Sequence, residues 1–154
     1  MQLCPQVSAA CIIGLFFMSV GCSGPEIAHH KVPSVVQNTL KAQYPITNKV
    51  VWEKDHDVYE ADIRLNDSTE ITIYIDETGR LIVQKYDIPV AELPAQVVAT
   101  IRNNYHGYAI DEAERMERAG QTYYQVELQH KRRKDMNLVF LPDGNEDMKT
   151  YFWD

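Results

Sequence analysis

The sequence predicts an α+β fold: two tandem helix-plus-four-strand repeats forming one antiparallel eight-stranded sheet with two helices on one face. Three observations predict it. Tyr59, Ile63, Ile71, Ile73, Ile75, Gly79 and Tyr86 recur 65 positions later as Tyr124, Leu128, Met136, Leu138, Phe140, Gly144 and Tyr151. Upstream, Val32-Pro33, Val36, Leu40 and Tyr44 recur 61 positions later as Leu93-Pro94, Val97, Ile101 and Tyr105, so one four-residue insertion between Tyr105 and Tyr124 reconciles the spacings. Between the helical stripes the chain alternates apolar and polar residues with period two, the mark of strands buried on one side. A period of about 60 residues in two copies is too long for a solenoid and too few for a propeller.

Residues 1–21 carry no charged side chain, and their apolar run Ala9–Val20 is too short to span a bilayer but suits a signal-peptide core. Small residues lead into Gly21-Cys22, similar to a bacterial lipoprotein signal cleaved before a cysteine that takes diacylglycerol. Ser19 stands where that pattern prefers Leu, and no Lys or Arg precedes the run. The expectation is an exported protein, a periplasmic or outer-membrane lipoprotein modified at Cys22. Residues 22–31 read as a tether of small and polar residues whose last nine, fully extended, reach at most about 30 Å. His29-His30 in that stretch lacks a third ligand and reads as polar linker.

The folded region is expected at 32–154, with repeat one at 32–92 and repeat two at 93–154. Pro33 and Pro94 suit helix starts, where a missing N–H costs nothing. Val36, Leu40 and Tyr44 form one stripe at helical spacing, matched by Val97, Ile101 and Tyr105. Pro45 stops the first helix, and Gly107 follows the second. In repeat one the strands are Lys49–Lys54, Val58–Leu65, Thr69–Asp76 and Arg80–Ile88, separated by turns at 55–57, 66–68 and 77–79. In repeat two they are Ile110–Arg118, Tyr123–Gln129, Met136–Leu141 and Glu146–Trp153. Ile71, Ile73 and Ile75 fall on one face of their strand, with Glu70, Thr72 and Tyr74 on the other. Helices cover the apolar face, and the polar face is expected to stay open to water.

Composition narrows the function. A net charge of −7 lacks the basic footprint that nucleic acid requires. The three cysteines, Cys4, Cys11 and Cys22, all precede the folded region, which leaves it without thiol catalysis or a cysteine zinc site. No H-E-x-x-H, G-x-S-x-G, G-x-G-x-x-G or P-loop occurs. His56, His106 and His130 each fall in a turn, and the basic stretch 130–134 reads as a solvated hairpin tip. No cofactor, metal or catalytic residue is assigned, and the chain is not read as an enzyme.

The pattern of Val32-Pro33, Tyr44-Pro45, Val51-Trp52-Glu53, Tyr59-Glu60-Ala61, Tyr74-Ile75-Asp76 through Gly79, Leu93-Pro94, 123–127 and Asp143-Gly144 resembles the PepSY-like, beta-lactamase-inhibitor-protein-like family of exported Bacteroidetes proteins. The resemblance covers Val32 to the end of the sequence. It implies a continuous sheet backed by two helices, no catalytic residues, and a sheet face that grips another protein. The namesake inhibitor has disulfides, and this folded region has none.

The expected partner-binding residues are Glu60, Asp62, Thr72, Tyr74, Tyr123, Gln125 and Glu127, which alternation sends to the polar face; Trp52 joins them if it shares that face. Exposed tyrosines on a polar background are what protein-binding patches are made of. The carboxylates among them also suit paired glycosidase acids, but the wet side of a half-buried sheet is the reading taken. The function expected is a non-catalytic cell-envelope binding module, an inhibitor or regulator of another envelope protein. The alternative is a small-ligand or metal-ion sensor using the same face.

Overall fold

The computed structural model describes residues 25–45, 49–66 and 69–153; the expected signal peptide (1–21) and the expected acceptor Cys22 lie outside them. Helix α1 (Ser34–Gln43) precedes strands β1 (Val50–Asp55), β2 (Val58–Asn66), β3 (Thr69–Asp76) and β4 (Leu81–Asp87). Helix α2 (Ala95–Asn104) precedes β5 (Ala109–Arg118), β6 (Gln121–Gln129) and β7 (Met136–Phe140). The seven strands form one sheet in chain order, each antiparallel to the next. Consecutive strands are thus neighbours throughout, as short connections favour.

Both helices lie on the same face. α1 buries Val36 and Leu40, one turn apart, against Ile63, Ile71, Ile73 and Ile75. α2 buries Val97 and Ile101 against Val126, Leu128, Leu138 and Phe140. Each helix follows a proline and ends with the N–H of a tyrosine bonded back into the last turn, Tyr44 to Leu40 at 2.8 Å and Tyr105 to Ile101 at 2.9 Å. Each also ties down a hairpin glycine. The Thr39 hydroxyl donates to the Gly79 carbonyl at 2.6 Å, and that of Thr100 to the Gly144 carbonyl at 2.9 Å.

Three expectations are corrected. The eighth strand, Glu146–Trp153, does not form. Glu146 makes one bridge to Phe140, and the Asp147 N–H bonds the Val139 carbonyl at 2.8 Å. The Asp147 carboxylate then accepts from the Lys149 N–H at 2.9 Å and the Thr150 hydroxyl at 2.7 Å. Such local bonds compete with a ladder and turn the chain. It leaves the sheet edge, and 151–153 lie as a strap on the face away from the helices.

That face is consequently not open. Tyr74, Val83, Met116, Tyr123 and Val139 form a third buried cluster, packed against Phe152 and Trp153. The stretch expected to be a free tether is also bound in its described part. The Ile27 N–H donates to the Trp52 carbonyl at 2.8 Å, and Glu26 bridges Glu53, covering part of the unpaired edge of β1.

Candidate functional site

The register sets out the strap-bearing face row by row. Glu60 stands opposite Tyr74, Asp62 opposite Thr72, Thr72 opposite Lys85, Lys85 opposite Met116, and Met116 opposite Tyr123. A second row joins Asp87, Glu114, Gln125 and Val139. All seven residues expected to bind a partner project from this face, in two groups: Glu60, Asp62, Thr72 and Tyr74 on β2 and β3, and Tyr123, Gln125 and Glu127 on β6. Their exposure differs from expectation. Tyr74 is 4% exposed, Tyr123 8% and Gln125 1%, all beneath or beside the strap, while Glu60, Asp62, Thr72 and Glu127 are half-buried. Trp52 belongs to the other face, 2% exposed under α1.

At the centre, side chains hold a main chain. Gln125 Oε1 accepts from the Trp153 N–H at 2.8 Å, and Gln125 Nε2 donates to the Trp153 carbonyl at 2.9 Å. Lys85 Nζ donates to the same carbonyl at 2.8 Å and pairs with Glu114 Oε1 at 3.1 Å. Gln125 Nε2 also donates to Glu114 Oε2 at 2.7 Å, closing the network. The Trp153 ring tilts over Tyr74 at 4.6 Å between centroids. Lys85 is 6% exposed, so its charge is tolerable because Glu114 and the carbonyl together answer it.

The acids around this centre feel their burial and each other. Burial, then the neighbouring Asp62 and Glu53, pushes the Glu60 carboxyl up to about 7. Burial also raises Asp62, while the Thr72 hydroxyl, donating at 2.9 Å, opposes the rise. Asp87 is raised to about 6 by burial and then by Glu114. Burial and the adjacent Glu60 push the Tyr74 phenol upward, so it stays a neutral donor at physiological pH. Among the described residues, no three His, Cys, Asp or Glu side chains are placed to hold a metal ion. Two clefts elsewhere, about 540 Å³ between α1 and β1 and about 520 Å³ beside the β5–β6 hairpin, gather no paired acids.

Sequence reasoning missed Lys85, Glu114 and Trp153. Alternation along β4 places Val83, Lys85 and Asp87 on the face of Tyr74, and that signal was available for the first. Nothing in the alternation of 146–153 marks Trp153 as a strap residue.

The family model described as "Putative beta-lactamase-inhibitor-like, PepSY-like" matches the chain twice, over residues 17–83 and 82–145. The chain belongs to this family. Solved structures share this fold. A DUF2874 family protein from Bacteroides uniformis is 24% identical with a TM-score of 0.68, over 74% of this chain and 85% of that one. A protein from Bacteroides eggerthii described as "putative periplasmic" is 18% identical with a TM-score of 0.68, over 75% and 85%. A BLIP-like protein from Bacteroides fragilis is 21% identical with a TM-score of 0.63, over 74% and 82%. A search of the curated proteins finds no match. No helix among the described residues of this PepSY-like chain is long and apolar enough to cross a membrane.

Proposed function

We propose that this PepSY-like protein is a non-catalytic cell-envelope module that binds another protein, as an inhibitor or regulator, through the sheet face opposite its helices. One observation carries the reading: that face already binds polypeptide, holding the Trp153 peptide group with Gln125 and Lys85 and its ring with Tyr74. The half-buried acids Glu60, Asp62 and Glu127 beside it supply a polar rim, the usual surround of a protein-binding core. The beta-lactamase-inhibitor-like description of the family supports an inhibitory role, and the neighbour described as periplasmic supports export.

Lipidation at Cys22 would hold the domain at the membrane, since each buried CH₂ contributes about 0.8 kcal/mol and two or three chains anchor durably. With the chain from Pro25 onward bound to β1, the domain would then stand close to the bilayer. Mass spectrometry of the native protein tests this; cleavage elsewhere without lipid removes the anchor and leaves the binding module.

The binding reading is tested by co-purification from envelope extract. The parent and an Arg102→Glu variant, altered on the helix side, should retain the same partner. A variant carrying Asp62→Arg and Glu127→Arg should lose it. Retention by all three would contradict the assignment of this face.

A further inference from the structure

The way the strap is held specifies what else the face takes. We infer that the groove around Gln125, Lys85 and Tyr74 is a recognition site for an extended segment of a partner polypeptide bearing an aromatic residue, and that Phe152–Trp153 occupies it in place of that segment. The inference rests on the proposed binding role and names the element of the partner that is bound.

The polar contacts recognise main chain, not a particular side chain. The Gln125 carboxamide offers an acceptor to one N–H and a donor to the C=O of the same residue. This is the pair of bonds a residue on a neighbouring antiparallel strand would exchange. Lys85 adds a second donor to that carbonyl. Beneath the strap both side chains are more than nine-tenths buried, and each is also held by Glu114, a contact that does not involve the strap and that keeps them in place when it lifts. Any extended segment carries the matching N–H and C=O, as in strand-addition recognition.

The one side-chain requirement is a flat ring over Tyr74, beside Val83, Met116 and Val139. Trp153 meets it imperfectly. Its indole N–H is buried and has no acceptor among the described residues. A buried donor without a partner weakens the contact, and a phenylalanine ring would carry no such defect. The strap also joins no ladder: after the Asp147 turn it has no strand neighbour, so lifting it breaks no sheet pairing. An occupant with an unsatisfied donor and no ladder is one that a better-matched segment displaces.

The test uses the full chain and the synthetic peptide Lys-Thr-Tyr-Phe-Trp, copied from residues 149–153 and blocked at both ends. A variant carrying Phe152→Ala and Trp153→Ala, confirmed folded by circular dichroism, should bind the peptide. The parent should bind at least about tenfold more weakly, because its own strap competes at an effective concentration of about a millimolar. Adding Gln125→Ala to the vacated variant should abolish binding, and a peptide ending in Phe-Phe should bind at least as well as the original. Equal binding to parent and vacated variant, or none to a folded vacated variant, overturns the inference. Should the vacated variant fail to fold, nuclear magnetic resonance of the parent decides. Excess peptide should shift the Trp153 amide and indole signals and speed amide exchange there; unmoved signals overturn it. Envelope-partner capture separates the two proposals. Capture no stronger with the vacated variant than with the parent sinks strap displacement alone, and loss of capture by both sinks the binding role while peptide binding stands.

Discussion

Gly144 lies against the backbone of Gln96, so close that a Cβ added to it would stand 2.7 Å from the Gln96 carbonyl carbon and oxygen. Its counterpart Gly79 meets the Val35 side chain first, at 2.6 Å, with the Val35 carbonyl at 3.2 Å. Both glycines have φ near +85°, which penalises any side chain by about 1–2 kcal/mol. At Gly79 the tightest contact is with a side chain that is 44% exposed, whereas at Gly144 it is with the α2 backbone itself. Gly144→Ala should therefore cost more than Gly79→Ala, about 3 kcal/mol or more against about 1–2. Urea unfolding of the two variants measures the difference; equal losses would mean that α2 yields as easily as a side chain.

The raised acids make stability pH-dependent. Glu60 sits at about 7 in the folded protein against an ordinary 4.5, so the folded state binds the proton more tightly than the unfolded chain does. The benefit is full below pH 4.5 and is lost as pH rises through 7. At about 1.4 kcal/mol per pH unit, discounted for the water that reaches a half-buried carboxyl, about 1–2 kcal/mol should go between pH 5 and pH 8. Glu60→Gln should flatten that part of the Tm-against-pH curve and raise Tm at pH 8. A variant that follows the parent's curve would place the pH dependence in other groups.

Replacing Gln125 by Leu keeps the volume and removes both bonds to Trp153. The Trp153 backbone N–H then loses its acceptor, and Glu114 loses a donor. A loss of about 2–4 kcal/mol is expected, with a red shift in tryptophan emission as the strap loosens. An unchanged spectrum would mean that the aromatic contact holds the strap without the polar network.

Ala119 carries φ of +51° in the turn between β5 and β6, followed by Gly120 at +76°. Two residues in the left-handed region favour Asn-Gly at a two-residue hairpin. Ala119→Asn should raise stability by about 1 kcal/mol, read as a higher Tm. A lower Tm would show that the alanine methyl makes a contact worth more than the strain.

Much of this fold was legible because burial on one side imposes period two on strands and 3.6 on helices. Ile71, Ile73 and Ile75 declared the helix-covered face, and Val36 with Leu40 declared the stripe that covers it. The two tyrosines singled out, Tyr74 and Tyr123, were placed on the correct face by parity, but their exposure depended on where the strap lay. That was not legible. Residues 146–153 alternate well enough for a strand, and only the two bonds at the Asp147 carboxylate show why the ladder ends. Trp52 illustrates a second limit: parity sorts residues within β1, but which set faces the helices depends on register with β2, where Trp52 meets Ala61.

The central claim, that the face away from the helices meets another protein, is tested most directly by a photocrosslinking residue at Val51. This side chain is 48% exposed on that face, opposite Asp62, and it belongs to none of the buried clusters. A matched control carries the crosslinker at Arg102 on the outer side of α2. Irradiated in envelope extract, the Val51 derivative should form one adduct that excess unlabelled parent suppresses, and the Arg102 derivative should not form it. The same adduct from Arg102, with none from Val51, would contradict the account.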